Sequence, residues 1–451
     1  MKKIKFGKAS GVDGLAAEHF IYSHSILHIY LSLLFTSFIS HGHLPDDFMK
    51  SAIVPIIKNK TGDSSDKNNY RPIASVTASS KIFEICISDI LDIYIITHDH
   101  QFGFKTKHST DMCIFSVKSI IKYYTEHNSP VYTCFLDASK AFDKVNHWTL
   151  FNKLIKRKVP RLIVRIMLFW YQKQSMCVKW GKTISKYFPV SNGVRQGGIL
   201  SPKLFSMYVD DLSNKLIDSK IGCHIDNHCM NHVMYADDIC IMAPSAVALQ
   251  ELLSICHEYG LDNDITFNPI KSVCMVFKPK YYKLYCPAVS IGSEMLEYVM
   301  ETKYLGILFC HDDQDDKDML RQMRTLYAKS NRLVRIFGHC STDVKLFLFK
   351  SYCSTFYCPF LWSAFKKTTF SKLRVAYNNV HRLVLKLPWR CSASNMYATY
   401  NICNFEAMMR KEIYRFLQRL EQMPNSIIKT IYQTWDIRFN IWKYWGDFLH
   451  T

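Results

Sequence analysis

Two adjacent aspartates, Asp237 and Asp238, interrupt an otherwise apolar stretch, with Val233-Met234-Tyr235-Ala236 before them and Ile239-Cys240-Ile241-Met242 after them. Runs of this length and make-up read as strands, so the acids fall at a tight turn between two of them. Like charges side by side, flanked by apolar residues that deny them water, are costly unless a cation sits nearby. An Asp-Asp turn by itself constrains little, since most are only turn residues. What constrains this chain is the company the pair keeps.

Val131-Tyr132-Thr133-Cys134-Phe135-Leu136 is β-branched and aromatic, and it runs straight into Asp137. A carboxylate at the end of a second strand would complete a set of hard oxygen ligands suited to Mg2+. Two such ions can activate an attacking 3′-hydroxyl and stabilise a leaving pyrophosphate.

The charge balance points the same way. Fifty-seven Lys and Arg against thirty-eight Asp and Glu leave a net charge of +19, and a surplus of that size usually serves a polyanion. A basic protein without such a partner, or one resting on an acidic membrane, is the alternative. With 48% hydrophobic and 21% charged residues over 451 positions, the chain can bury a large core, and disorder is not the default. Sixteen cysteines run from Cys86 to Cys403 without a repeating pattern, and no signal-peptide pattern precedes them. Reduced, mostly buried thiols in a nuclear or cytoplasmic protein that is not secreted are therefore expected. Ile21 to Ser40 is apolar, but Ser25, His28, Ser32 and Thr36 recur at helical spacing. It reads as an amphipathic helix packed on one face, not a membrane span.

No repeat, low-complexity tract or long linker divides the chain. Residues 1–45 read as an N-terminal extension, closed by His41-Gly42-His43-Leu44-Pro45, and 46–130 alternate short strands and helices, including Ala52 to Ile57. Residues 131–283 carry the clearest strands, Val273 to Phe277 among them, and Tyr304 to Leu308 reads as one more. Residues 284–451 turn helical, and between Lys366 and Arg419 eleven Lys and Arg face two Asp and Glu. Such a lobe suits the backbone of a nucleic-acid duplex; a solvated basic face is the other account.

Motifs around the acids are specific. Phe135-Leu136-Asp137-Ala138-Ser139-Lys140-Ala141-Phe142-Asp143 is followed by Gly193-Val194-Arg195-Gln196-Gly197-Gly198-Ile199-Leu200-Ser201-Pro202, then by Tyr235-Ala236-Asp237-Asp238. In this order the sequence resembles reverse transcriptases, and most closely those of LINE-type (non-LTR) retrotransposons. Flanking segments agree: Lys8-Ala9-Ser10-Gly11-Val12-Asp13-Gly14, Asn69-Tyr70-Arg71-Pro72-Ile73, Gln101-Phe102-Gly103-Phe104, Phe267-Asn268-Pro269 with Lys271, and Tyr304-Leu305-Gly306. So many ordered matches exceed a short-motif coincidence.

The resemblance implies an α+β right-hand polymerase: residues 46–130 as fingers, 131–283 as a palm with an antiparallel sheet, 284–451 as thumb and basic helical lobe. It makes Asp137 and Asp237 the principal ligands of two Mg2+ ions (Mn2+ being the alternative), with Asp238 auxiliary. Phe142 takes the place of the aromatic gate beneath the incoming sugar, although a plain core aromatic would look the same. Backbone amides of Ala138, Ser139, Lys140, Ala141 and Phe142 would cradle the triphosphate. Arg71 would clamp it, unless it only pairs within the fingers. Gln196 and Gly197 would lie against nucleotide or template, and Lys271, otherwise an exposed lysine, would protonate the departing pyrophosphate. RNA template, DNA primer or duplex and dNTPs are the implied partners.

Other signals are set aside. Cys223, His224, His228, Cys229 and His232 lack a Cys-x-x-Cys knuckle, so a plain loop is favoured over zinc. His24 and His28 read as surface residues. His311-Asp312-Asp313-Gln314-Asp315-Asp316 lacks the central glycine of a calcium loop and reads as a solvated segment before a helix. Gly198 stands where the family commonly has Ser or Cys. LINE-type elements usually carry an endonuclease domain and often a Cys/His knuckle, and neither pattern occurs in these residues. An element fragment, a truncated copy and a host-recruited polymerase all fit. An active RNA-directed DNA polymerase leads the readings; a silent RNA- and DNA-binding remnant is the alternative, and an RNA-synthesising enzyme is disfavoured by Phe142.

Overall fold

A computed structural model describes residues 3–8, 10–283 and 285–434. Ala9 of the first motif and the chain after residue 434 lie outside them. The fold is α+β, with two five-stranded sheets and long helices. The chain divides into two compact units. The first holds residues 1–104, 137–218 and 254–268; the second holds 105–136, 219–253 and 269–451.

After a short helical turn at Ala17–Ile21, the first long helix of the first unit, α1 (Ser25–His41), is stopped at Gly42 in the left-handed conformation that a missing Cβ permits. Only Phe35 and Phe38 of this helix are buried, so one face packs as expected. Tyr22, just ahead of α1, and Ile26, Ile29, Tyr30 and Leu33 on it are exposed, so the solvent side is far more apolar than its polar stripe suggests. Strand β1 (Lys50–Ile57) pairs antiparallel with β2 (Tyr70–Ser75), and helix α2 (Ala78–Leu91) follows.

In the second unit helix α3 (Thr110–Glu126) leads to β3 (Val131–Asp137), whose six residues from Val131 to Leu136 are all buried. A continuous apolar run is what a strand covered on both faces requires. The chain then returns to the first unit for helix α4 (Arg161–Lys173), strands β4 (Ser175–Trp180), β5 (Thr183–Ile184) and β6 (Phe188–Pro189), and helix α5 (Ser201–Asp218). The first sheet runs β2-β1-β4-β5, with β6 also on β4.

The second sheet adds β7 (His232–Tyr235), β8 (Asp238–Ala243), β9 (Val273–Phe277) and β10 (Glu297–Tyr298), in the order β10-β9-β3-β8-β7. Central β3 pairs antiparallel with β9, Phe135 opposite Val273. Beyond it, helices α6 (Asp316–Phe337) and α7 (Lys367–Leu385) pack on one another. Among the described residues no helix is long and apolar enough to cross a membrane. All sixteen cysteines are free thiols, and ten of them are buried.

Two expectations change. Tyr304 to Leu308 is not one strand: Glu301–Tyr304 and Ile307–Cys310 form a hairpin that turns at Leu305-Gly306, both with positive φ. A Cβ on Gly306 would come within 2.7 Å of the Tyr357 ring, so the turn needs glycine twice over. The acidic segment is not a solvated loop either. Buried Lys118 of α3 ion-pairs with buried Asp315, and Ser363 donates through its N–H to the same carboxylate. Burial pushes the neighbouring Asp313 carboxyl up to about 7; Lys118 opposes the shift and Asp315 adds to it. Asp318 is also buried and accepts from Arg321, Gln322 and the Trp362 indole.

Candidate active site

Asp237 and Asp238 stand where the strand signals put them. Tyr235 pairs with Asp238 across a two-residue turn of Ala236 and Asp237, and Met234 with Ile239 behind it keeps the apolar strands in register. Ala236 has φ +59°, a left-handed conformation that costs a residue with a Cβ about 1–2 kcal/mol. Strained backbone of this kind concentrates at functional sites. β8, which begins at Asp238, is the sheet neighbour of β3, which ends at Asp137, and all three aspartates are half-buried. Lys271 is exposed, two residues ahead of β9 on the other side of β3. Among the described residues no group of three or more His, Cys, Asp or Glu stands gathered as a metal-ligand cluster. That holds for the aspartates and for Cys223 to His232, where His224–Ile225 and His228–Cys229 form a small hairpin.

In the first unit, the loop after β3 and the segment Gly193 to Pro202 are sewn together. Val194 N–H donates to Phe142 O (2.8 Å), Gly193 N–H to Val145 O (2.8 Å), and the Gln196 amide to Asp143 (3.0 Å). Gln196 in turn accepts from Ala74 N–H of β2 at 2.6 Å. Gly197 has φ +112°, and a Cβ there would lie 2.7 Å from Ala74 O, so no other residue fits without moving β2. Phe142 is half-buried; its ring stacks on Phe205 at 4.5 Å and meets Phe104 edge-on at 6.3 Å. Of the five proposed cradle residues, Ser139 already donates its N–H to Thr266 O, and Ala138 bridges to Phe267. Lys140 takes a left-handed conformation at the start of the short helix Ala141–Lys144, a geometry that turns successive N–H groups to one side. Arg71 is exposed on β2 opposite Ile56.

One residue went unread in the sequence. Glu84 of α2 is buried, ion-pairs with buried Arg195 at 3.3 Å, and accepts the N–H groups of Ile199 and Leu200 just ahead of α5. Arg195 also lies over the Trp170 ring, 4.5 Å from its centroid. One carboxylate thus anchors both the helix start and the arginine next to Gln196. Its surroundings, Lys81-Ile82-Phe83-Glu84-Ile85, look like any amphipathic helix, and the only signal was an acid on an apolar face. Gly198 packs under the same carboxylate: a Cβ there would lie 2.9 Å from the Ser201 hydroxyl, which can rotate aside.

A family model described as reverse transcriptase (RNA-dependent DNA polymerase) matches residues 57–309. The RNA-directed DNA polymerase from mobile element jockey of Drosophila funebris is 25% identical over 446 residues, covering 96% of this chain and 48% of that protein. Its Drosophila melanogaster counterpart is 23% identical over 89% of this chain and 45% of its own length. The Pol polyprotein of the type-2 element R2DM of Drosophila melanogaster is 27% identical over 59% of this chain and 26% of its own. The chain therefore spans about half the length of the jockey relatives it matches. Likeness to solved structures is weaker: apo telomerase from Candida tropicalis is 12% identical with a TM-score of 0.44, over 91% of this chain and 68% of that one. The ordered motifs and the matched region, more than half of the chain, give one assignment: this protein belongs to the reverse transcriptase family.

Proposed function

We propose that the chain is an RNA-directed DNA polymerase of the non-LTR retrotransposon type, adding dNTPs to a primer 3′-OH on an RNA template. The observation that carries this reading is the hairpin with Asp237-Asp238 at its tip, beside the strand that ends in Asp137. Three half-buried carboxylates offer the oxygen donors that Mg2+ or Mn2+ takes. Mg2+ binds through one or two carboxylates and completes its shell with water and substrate phosphates, so a preformed protein cage is not required. Bound there, a pair of such ions would activate the primer hydroxyl and offset charge on the leaving pyrophosphate.

The remaining roles belong to the chain itself. Phe142, fixed between Phe205 and Phe104, is too bulky to admit a ribose 2′-OH. The N–H groups from Lys140 to Phe142 and the Arg71 guanidinium hold the triphosphate, while Gln196 and Gly197 lie against nucleotide or template. Lys271 supplies a proton to the pyrophosphate. In this reading fingers, palm and thumb follow residues 46–130, 131–283 and 284–451, after an extension over 1–45. The primer–template duplex is held by the basic C-terminal helices.

Primer extension on an RNA template with Mg2+ tests it. Wild-type protein should extend, and Asp237→Asn should lose at least about 100-fold in rate while still binding primer–template. No extension by the wild type, or equal extension by both, rejects the enzyme and leaves a nucleic-acid-binding remnant.

A further inference from the structure

The first sheet carries a surface that the polymerase reading does not use. From Lys144 to Val209 the chain has thirteen Lys and Arg and no Asp or Glu. The β4–β5 hairpin lies in that stretch and is exposed from Lys179 to Pro189. Trp180 is 58% exposed, Ile184 55%, Tyr187 44% and Phe188 39%, interleaved with Lys179, Lys182 and Lys186. Exposed aromatics are costly in water, and here Trp180 flanks the two-residue Gly181-Lys182 turn of the hairpin while Phe188 sits on β6 opposite Met176 of β4. The Trp180 ring contacts the Tyr70 ring of β2 across β1, 5.3 Å between centroids. Side chains alternate along a strand, so Tyr70 and Trp180 lie on the face opposite to Arg71.

We propose that this face is a docking platform for an unpaired RNA strand, distinct from the nucleotide site. A tilted aromatic pair beside Lys179, Lys182 and Lys186 fits a ligand that is both polyanionic and faced with π-systems, as unstacked bases on a phosphate backbone are. A duplex could not offer its bases to Trp180. The choice of RNA rests on the proposed function, whose template is RNA.

The test uses the full chain, without Mg2+, and a labelled 15-nucleotide oligouridylate. A blunt RNA duplex and oligothymidylate of equal length are the comparison probes. Trp180→Ala should weaken oligouridylate binding about 5- to 100-fold, with Trp180→Tyr retaining most of it and duplex binding unchanged. Lys182→Gln with Lys186→Gln should lower the log–log salt slope by about 1.4. Equal affinity of wild type and Trp180→Ala for oligouridylate overturns the platform, as does an equal loss for duplex. Preference for oligothymidylate would overturn the assignment to RNA. Primer extension on a short pre-annealed primer–template separates the two proposals. If it is absent while oligouridylate binding still depends on Trp180, the polymerase fails and the platform stands.

Discussion

At the residue scale, Ala236 is the position where backbone and side chain disagree. An Ala→Gly change in ordinary secondary structure loses about 0.5–1 kcal/mol through added freedom in the unfolded chain. At φ +59° the native conformation itself costs alanine about 1–2 kcal/mol, and glycine escapes that cost. Ala236→Gly is therefore expected to leave stability unchanged or raise it by about 1 kcal/mol, read as a denaturation midpoint. A β-branched residue such as valine should lower it. A clear loss on Ala236→Gly would show the turn to be unstrained. The aspartates beside it were legible because apolar strands flank them on both sides. The strain was not, since Tyr-Ala-Asp-Asp carries no turn glycine to announce it.

Elements hold together through contacts that sequence spacing conceals. Glu84 and Arg195 are 111 positions apart, yet they meet in a buried pair that fixes the loop carrying Gln196 and the start of α5. Glu84→Gln keeps the shape but leaves Arg195 without its counter-charge, and breaking such a pair costs about 3–5 kcal/mol. Because Gln196 and Gly197 follow Arg195 directly, KM for dNTPs should rise more than kcat falls. Unchanged stability and unchanged KM would remove Glu84 from the account.

Lys118 with Asp313 and Asp315 is a second hidden pairing, and it has a pH signature. Burial raises the Asp313 carboxyl to about 7, so the folded state holds a proton that the unfolded chain releases near its ordinary carboxylate range, around 4. The stability from this group is fully present below that range and is lost as pH climbs through about 7. Asp313→Asn should flatten the fall in thermal midpoint between roughly pH 4 and 7. Parallel curves for wild type and variant would count against it. The segment looked solvated because its neutralising lysine lies 197 positions away. Tyr304 to Leu308 misled for another reason: apart from Gly306 the window is apolar or aromatic straight across the turn, so only that glycine marks the break.

For the whole molecule, charge is the property that composition conveyed directly and that local motifs do not explain. The net +19 is unevenly spread: the acid-free span 144–209 and the basic span 366–419 account for twenty-four of the fifty-seven Lys and Arg. Such segregation is what backbone binding with counterion release would use, and it predicts affinity that falls steeply with salt. Engagement of about five to ten duplex phosphates would give a log–log slope between roughly −4.5 and −9 for a primer–template. Lys367 and Lys372 are exposed on α7 beside a groove of about 580 Å³ that Met323 and Tyr327 of α6 also line. Replacing both by glutamine should shrink the slope by about 1.8 if each meets one phosphate. Extension from saturated primer–template should be untouched, because neither residue belongs to the proposed chemistry. If the slope stays constant, the basic helical segment is a solvated face. The grip on the duplex would then have to come from the rest of the chain.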